Sequence, residues 1–188
     1  MIINKYLSFL LNSEYKKMVY DDESLWSISL PNDADLITSI ISKSVNNYKI
    51  FDAMAGIGGN TIGFAKYFKN VVSVEINLDR FELLKQNVEI YCNNTNVELI
   101  NDTCINYLNN DYDVYFFDPP WGGINYKNNN KLSFMIDNYK LSDLVKHIRN
   151  INNAKIYFKL PNNYNFTEFD IFKYKRYYIR NYSIIMIN

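Results

Sequence analysis

Asp118-Pro119-Pro120-Trp121-Gly122-Gly123 sets a carboxylate, two residues without a backbone N–H and a large indole side by side. The segment follows the apolar run Val114-Tyr115-Phe116-Phe117. Consecutive prolines, with φ held at roughly −65°, end a strand rather than continue it. Carbonyl oxygens released from a ladder, beside a carboxylate and a flat ring, offer acceptors for an N–H group and a surface for stacking. That combination suits a planar nucleobase amine. The chemistry it names is transfer to an exocyclic amine, with Asp118, Pro119 and Trp121 as candidate catalytic residues.

A second cluster, Asp52-Ala53-Met54-Ala55-Gly56-Ile57-Gly58-Gly59-Asn60, leaves the apolar run that ends at Phe51. Glycines allow backbone to approach a ligand closely, and a helix starting there presents free N–H groups. Asp52, Ala53, Gly56, Gly58 and Asn60 are therefore candidate cofactor-binding residues. Glu75, nineteen residues after Gly56, ends the next apolar run and can accept both hydroxyls of an adenosine ribose. Thr61 stands where the dinucleotide fingerprint needs its third glycine, and Asp52 would repel a pyrophosphate. The Gly-Lys-Ser/Thr ending of a phosphate-binding loop is also absent. A carboxylate at that turn instead suits the ammonium of a methionine moiety, so the cofactor read from this pattern is S-adenosylmethionine. Asp118 borders the same site. Asp102, after the third apolar run, is placed either for the adenine amine or as a turn residue before Thr103.

Positioning these groups requires alternating strands and helices. Periodicity predicts a helix over 33–45 with Leu36, Ile37, Ile40 and Ile41 on one face and Pro31 just ahead of it. It then predicts a strand at 48–51, a helix over 61–68, a strand at 71–74 and a helix capped by Asn77 and running to about Tyr91. Strands at 97–100, 114–117 and 155–160, a helix carrying Leu141, Leu144, Val145 and Ile148, and a terminal strand pair at 172–178 and 182–187 complete the pattern. This is an α/β chain: a doubly wound, Rossmann-like sheet with a C-terminal antiparallel hairpin.

The 188 residues are 48% apolar and 16% aromatic, which excludes a disordered chain and fits one domain. No apolar stretch is long enough to span a bilayer, and the run at 6–11 reads as a helix rather than a signal peptide. Cys92 and Cys104 have no metal-ligand spacing, which points to neither metal nor disulfide and to a reducing, intracellular setting, cytoplasmic or nuclear. Net charge is zero, arguing against a long nonspecific grip on nucleic acid. From Ile151 onward, however, six basic residues face two acidic ones, and either a local phosphate-binding face or a solvated surface accounts for them. The single His147 falls on a helix after the site loop and is given no catalytic role.

Three segments resemble the trimethylguanosine synthase family, which methylates the N2 amine of the 7-methylguanosine RNA cap. They are Trp26-Ser27-Ile28-Ser29-Leu30-Pro31, the loop 52–60, and the motif running from Asp118 through Trp121-Gly122-Gly123 to Tyr126. The resemblance implies a class I S-adenosylmethionine-dependent methyltransferase. Its core would span 47–188, with an N-terminal helical segment over 1–46 contributing to the cofactor and cap pockets. It implies that Trp26, Trp121, Tyr126, Lys127 and Lys159 bind substrate. Trp121 would stack on the charged 7-methylguanine, a cation–π contact worth about 0.5–2 kcal/mol. Tyr126 and Lys127 would reach the cap phosphates, and Trp26 would be either core or pocket wall. The partner implied is capped RNA, bound by a monomer without a membrane or a metal.

The sequence departs from the family at Asp118, where serine is usual and which adenine-N6 methyltransferases share. It departs at Leu30, where threonine is usual, and at Asn162, where many relatives carry arginine. Lys159 is expected to take over the phosphate contact of that arginine. An adenine-N6 RNA or DNA methyltransferase, and a noncatalytic cap- or RNA-binding subunit, are the alternatives.

Overall fold

A computed structural model describes residues 8, 10, 13–45, 49–92, 96–108 and 112–188, apart from the side chain of Ile124. The apolar runs become strands and the amphipathic stretches between them become helices. In chain order the elements are α1 (Ser24–Ser27), α2 (Pro31–Ser42), β1 (Lys49–Asp52), α3 (Gly59–Ala65), β2 (Asn70–Val74), α4 (Leu78–Tyr91) and β3 (Val97–Ile100). They continue with β4 (Val114–Phe117), β5 (Met135–Ile136), β6 (Tyr139–Lys140), α5 (Leu141–Arg149), β7 (Lys155–Pro161), β8 (Tyr174–Ile179) and β9 (Tyr182–Ile187). The helix expected over 6–11, Tyr48 at the start of the first expected strand, and the junction at 46–47 fall wholly or mainly outside the described residues.

The main sheet has the order β3-β2-β1-β4-β7-β9-β8. Strands β3, β2, β1, β4 and β7 run parallel, and β9 lies antiparallel between β7 and β8. The expected class I methyltransferase-type sheet and its terminal hairpin are thus present. Strands β4 and β9 are buried along their whole length, whereas the edges β3 and β8 are only half-covered. Parallel strands covered on both faces read as continuous apolar runs, which is why they were visible in the sequence. On one face Phe51, Tyr115, Phe117, Phe158 and Ile185 pack against Leu141, Leu144, Val145 and Ile148 of α5. On the other, Ile50, Phe116, Tyr157 and Ile184 pack against Ile37 and Ile41 of α2 and Phe64 of α3. Chain order reverses between β1 and β4, so their C-terminal ends open the crevice where such sheets bind ligands.

Three local expectations shift. Helix α2 buries Ala34, Ile37, Thr38 and Ile41, while Leu36 is 41% exposed. A close crossing with α3 rotates the face: a Cβ on Gly63 would lie 3.1 Å from both Ala34 Cβ and Thr38 Oγ1, so small residues are needed at that contact. Helix α3 begins at Gly59, two residues before the expected Thr61, because the glycine loop itself forms the first turn. The two-stranded β5–β6 ribbon ahead of α5 carries no clear alternation in sequence. The Asn77 side chain caps α4 as expected, accepting from Arg80 N at 3.0 Å.

Candidate active site

The loop leaving β1 is stretched across the crevice by its neighbours. Ala53 N donates to Phe116 O of β4 at 2.9 Å, and Ala55 N donates to Val74 O of β2 at 2.9 Å. Gly58 then turns the chain into α3 at φ 101°, a conformation costly for any residue with a Cβ. Glu75 braces the loop: Oε2 accepts from Gly56 N at 2.8 Å and Oε1 from Asn77 N at 2.9 Å. Each of these oxygens keeps a second lone pair.

Asp52 ends β1 fully buried, with Oδ2 accepting from the Thr61 hydroxyl at 2.7 Å and Oδ1 unpartnered. Burial pushes its carboxyl up to about 7; the Thr61 hydrogen bond pulls it down, while Asp118 and Glu75 add repulsion. A carboxyl raised in the fold holds a proton that the unfolded chain has lost, so it favours folding below pH 4 and loses that contribution as pH rises through about 7. Asp52→Asn keeps the Thr61 contact and removes the titration. Its urea midpoint relative to the parent should therefore rise between pH 4 and pH 7; a flat difference would contradict this.

Asp118 and Lys159 each stand one residue past the paired positions Phe117 and Phe158 of β4 and β7. Parallel register therefore aims both side chains to the same face. Asp118 Oδ2 accepts from Lys159 Nζ at 2.7 Å and from Asn60 Nδ2 at 3.3 Å. Lys159 also donates to Ser29 Oγ at 2.8 Å. Burial pushes the Asp118 carboxyl upward, while Lys159 and Asn60 pull it back. The Lys159 ammonium sits 5.4 Å from the centroids of both Trp121 and Tyr182. Trp121 is steered by its own N–H, which donates to Lys159 O at 3.4 Å, and its ring meets Tyr126 edge-on at 5.2 Å and 69°.

The structure thus joins Asn60, Asp118, Lys159, Trp121 and Tyr126 in one cluster, with Asp52 beneath it. Lys159, expected to contact a phosphate, is 6% exposed and paired with the Asp118 carboxylate. Asp102 is occupied by its own turn, accepting from Thr103 N, Asn106 Nδ2 and the Tyr107 hydroxyl, and these contacts lower its carboxyl. Of its two readings the turn is the one with partners. Lys127 is exposed, 5.7 Å from the Tyr126 centroid, Pro119 is buried, and Trp26 is half-buried at the end of α1. His147 is exposed on α5.

Ser29, Thr61 and Tyr182 received no role from the sequence. Ser29 was legible only as part of the Trp26–Pro31 segment, and its partner lies 130 residues away. Gly59 holds that segment in place: a Cβ there would lie 2.5 Å from Ser29 O and 3.0 Å from Ser29 N, backbone atoms that cannot swing aside. Gly59→Ala should therefore cost about 1–3 kcal/mol of stability, read as a lower urea midpoint. An unchanged midpoint would show that the segment moves freely.

A doubly wound sheet with this order, a glycine turn after β1, a carboxylate after β2 and an Asp-Pro-Pro-Trp turn after β4 defines a methyltransferase of the class I fold. A solved methyltransferase from Geobacter sulfurreducens shares that fold with a TM-score of 0.62, covering 100% of this chain and 88% of that one at 12% identity. The description RNA cap guanine-N2 methyltransferase matches residues 47–182, and the chain belongs to that family. It is 31% identical over 138 residues to the trimethylguanosine synthase of Schizosaccharomyces pombe, covering 66% of this chain and 57% of that enzyme. It therefore spans little more than half that relative's length. It is also 31% identical over 203 aligned residues to the uncharacterized protein L320 of Acanthamoeba polyphaga mimivirus, covering 93% of this chain and 78% of that protein.

The methyl donor of this family and fold is S-adenosylmethionine. The residues present fit it. Asp52 Oδ1 and Asn60 Oδ1 are buried acceptors without partners at the loop, and such orphans cost about 1–3 kcal/mol each until a donor reaches them. Among the described residues no group of His, Cys, Asp and Glu could hold a metal ion, and no helix is long and apolar enough to cross a membrane.

Proposed function

We propose that this methyltransferase modifies the N2 amine of a 7-methylguanosine cap on RNA. The observation that carries the reading is the Trp121–Tyr126 corner set directly against the Asp118–Lys159 pair in a chain of this family. S-adenosylmethionine supplies a methyl group carried on a positively charged sulfur. Asp52 and Asn60 would hold its ammonium, and Glu75 would accept its ribose hydroxyls through the free lone pairs. The N-terminal segment serves the core by delivering Ser29 to Lys159, with Trp26 beside it.

A guanine N2 amine is a weak nucleophile because its lone pair is delocalised into the ring. Trp121 stacks on the base and fixes its plane. Asp118, through the oxygen that Lys159 leaves free, and the Pro119 carbonyl would accept hydrogen bonds from the two amine N–H groups and so orient the nitrogen lone pair. Most of the acceleration comes from positioning and fixed charge, and the Lys159 partner opposes the upward push of burial on the Asp118 carboxyl. Lys127 lies outside this corner, within reach of cap phosphates.

The Asp118 carboxylate supports a second reading, transfer to adenine N6, which presents the same kind of amine. Offering 7-methylguanosine triphosphate and an adenosine-containing RNA side by side separates the two. Transfer to the cap nucleotide alone is expected, and transfer to the adenosine alone would overturn the proposal.

A further inference from the structure

The aromatic corner is tied to the far edge of the sheet by a chain of hydrogen bonds. Asn163 Nδ2 donates to Tyr126 O at 2.9 Å, and its neighbour Asn162 donates from Nδ2 to Arg180 O at 2.7 Å. Arg176 of β8 donates from Nη2 to Asn162 O at 3.4 Å and from Nε to Ser183 Oγ at 3.0 Å. Strand β8 is antiparallel to β9, which is antiparallel to β7. The C-terminal end of β8 therefore lies at the same end of the sheet as the candidate active site.

This edge has the composition of a single-strand platform. The Arg176 guanidinium lies between two rings, 3.5 Å from the Phe166 centroid and 4.3 Å from that of Tyr178. Tyr178 is nonetheless 72% exposed, the most exposed large apolar side chain of the described residues. From 172 to 180 the chain carries Lys173, Lys175, Arg176 and Arg180 and no acidic residue, in a protein whose net charge is zero. The Arg180 guanidinium pairs with Asp33 at 3.7 Å with its side chain 76% exposed, a pairing too weak to withhold it from another anion. An exposed ring with a guanidinium over it, next to exposed positive charge, is the arrangement on which unstacked bases and a phosphate backbone are held.

We propose that this edge carries the single-stranded RNA that follows the cap. A base stacks on Tyr178 and a neighbouring phosphate pairs with Arg180, while the cap occupies the Trp121 corner. The inference rests on the cap reading above for its substrate, but its surface is defined by residues of β8 and the turn after it.

The test compares the parent chain with Tyr178→Ala and Arg180→Gln, singly and together. Methylation is measured on 7-methylguanosine triphosphate and on the same cap joined to a short single-stranded RNA. Anisotropy is measured on the uncapped labelled RNA, with an RNA duplex as competitor. The double variant is expected to raise the KM for capped RNA and the Kd for uncapped RNA by about tenfold or more, leaving the KM and kcat for the cap nucleotide and the urea midpoint unchanged. Arg180→Gln alone should lessen the salt dependence of RNA binding by about 0.7 in log–log slope. Equal losses on both substrates, no loss on either RNA, or duplex competing as well as single strand would overturn the proposal. Because anisotropy needs no cap, failure of the parent to methylate the cap nucleotide counts against the cap reading and not against this surface.

Discussion

Lys159→Met should unfold at a markedly lower urea concentration than the parent, by about 3–5 kcal/mol near neutral pH. That is the cost of leaving one member of a buried ion pair without the other. The pair is well shielded: the Lys159 side chain is 8% exposed and that of Asp118 13%, at 2.7 Å. Burial already pushes the Asp118 carboxyl upward, with Lys159 and then Asn60 opposing it. Asp52 beneath and the Tyr182 ring beside the pair supply no compensating positive charge. Without Lys159 the carboxyl takes up a proton more readily in the fold. The stability deficit should therefore shrink as pH falls and the charge disappears. Activity should show the complementary change, its acid limb moving to higher pH. Lys159→Met with Asp118→Asn removes the stranded charge, so stability should recover in part while activity does not. A deficit independent of pH would mean that Lys159 contributes packing alone.

Trp121→Ala should raise the KM for 7-methylguanosine triphosphate by about a hundredfold, combining lost base stacking with lost attraction between the indole and the charged ring. The charge-dependent part alone sets the preference for 7-methylguanosine over guanosine, which should fall by about 2- to 30-fold. Trp121→Phe should keep part of that preference, because a phenyl face still attracts a cation, though less than indole. Kinetics on the two nucleotides, with the urea midpoint as a control on folding, separate these effects. Retention of cap methylation by Trp121→Ala would remove the indole from the substrate site.

Elements dominated by local pattern were legible in the sequence. Strand β4 is a continuous apolar run closed by Pro119 and Pro120, Asn77 caps its helix, and the β8–β9 hairpin has two strand-forming segments joined by a short turn. Features that depend on distant neighbours were not. The inward face of α2 is set by its contact with Gly63 of α3, so Ala34 and Thr38 are buried and Leu36 is not. Lys159 was legible as a cation near the site, but its pairing with Asp118 depends on the register of strands 41 residues apart. Asn87 shows the same limit: a polar residue on α4, fully buried because it binds Val19 N and O and Ile57 O at 2.7–2.9 Å. No spacing along the chain announces such a junction. Asp52, by contrast, was legible as the acidic residue of the glycine turn, while its depth and its unpartnered oxygen emerged only from the fold.

The most direct measurement is mass spectrometry of the nucleoside released after incubating the protein with S-adenosylmethionine and a 7-methylguanosine-capped RNA that also contains adenosines. One or two added methyl groups are expected, all on N2 of the cap guanine, and none on adenine. Methyl groups on adenine N6 with an unmodified cap, or an unmodified RNA from protein shown by calorimetry to bind the donor, would contradict it.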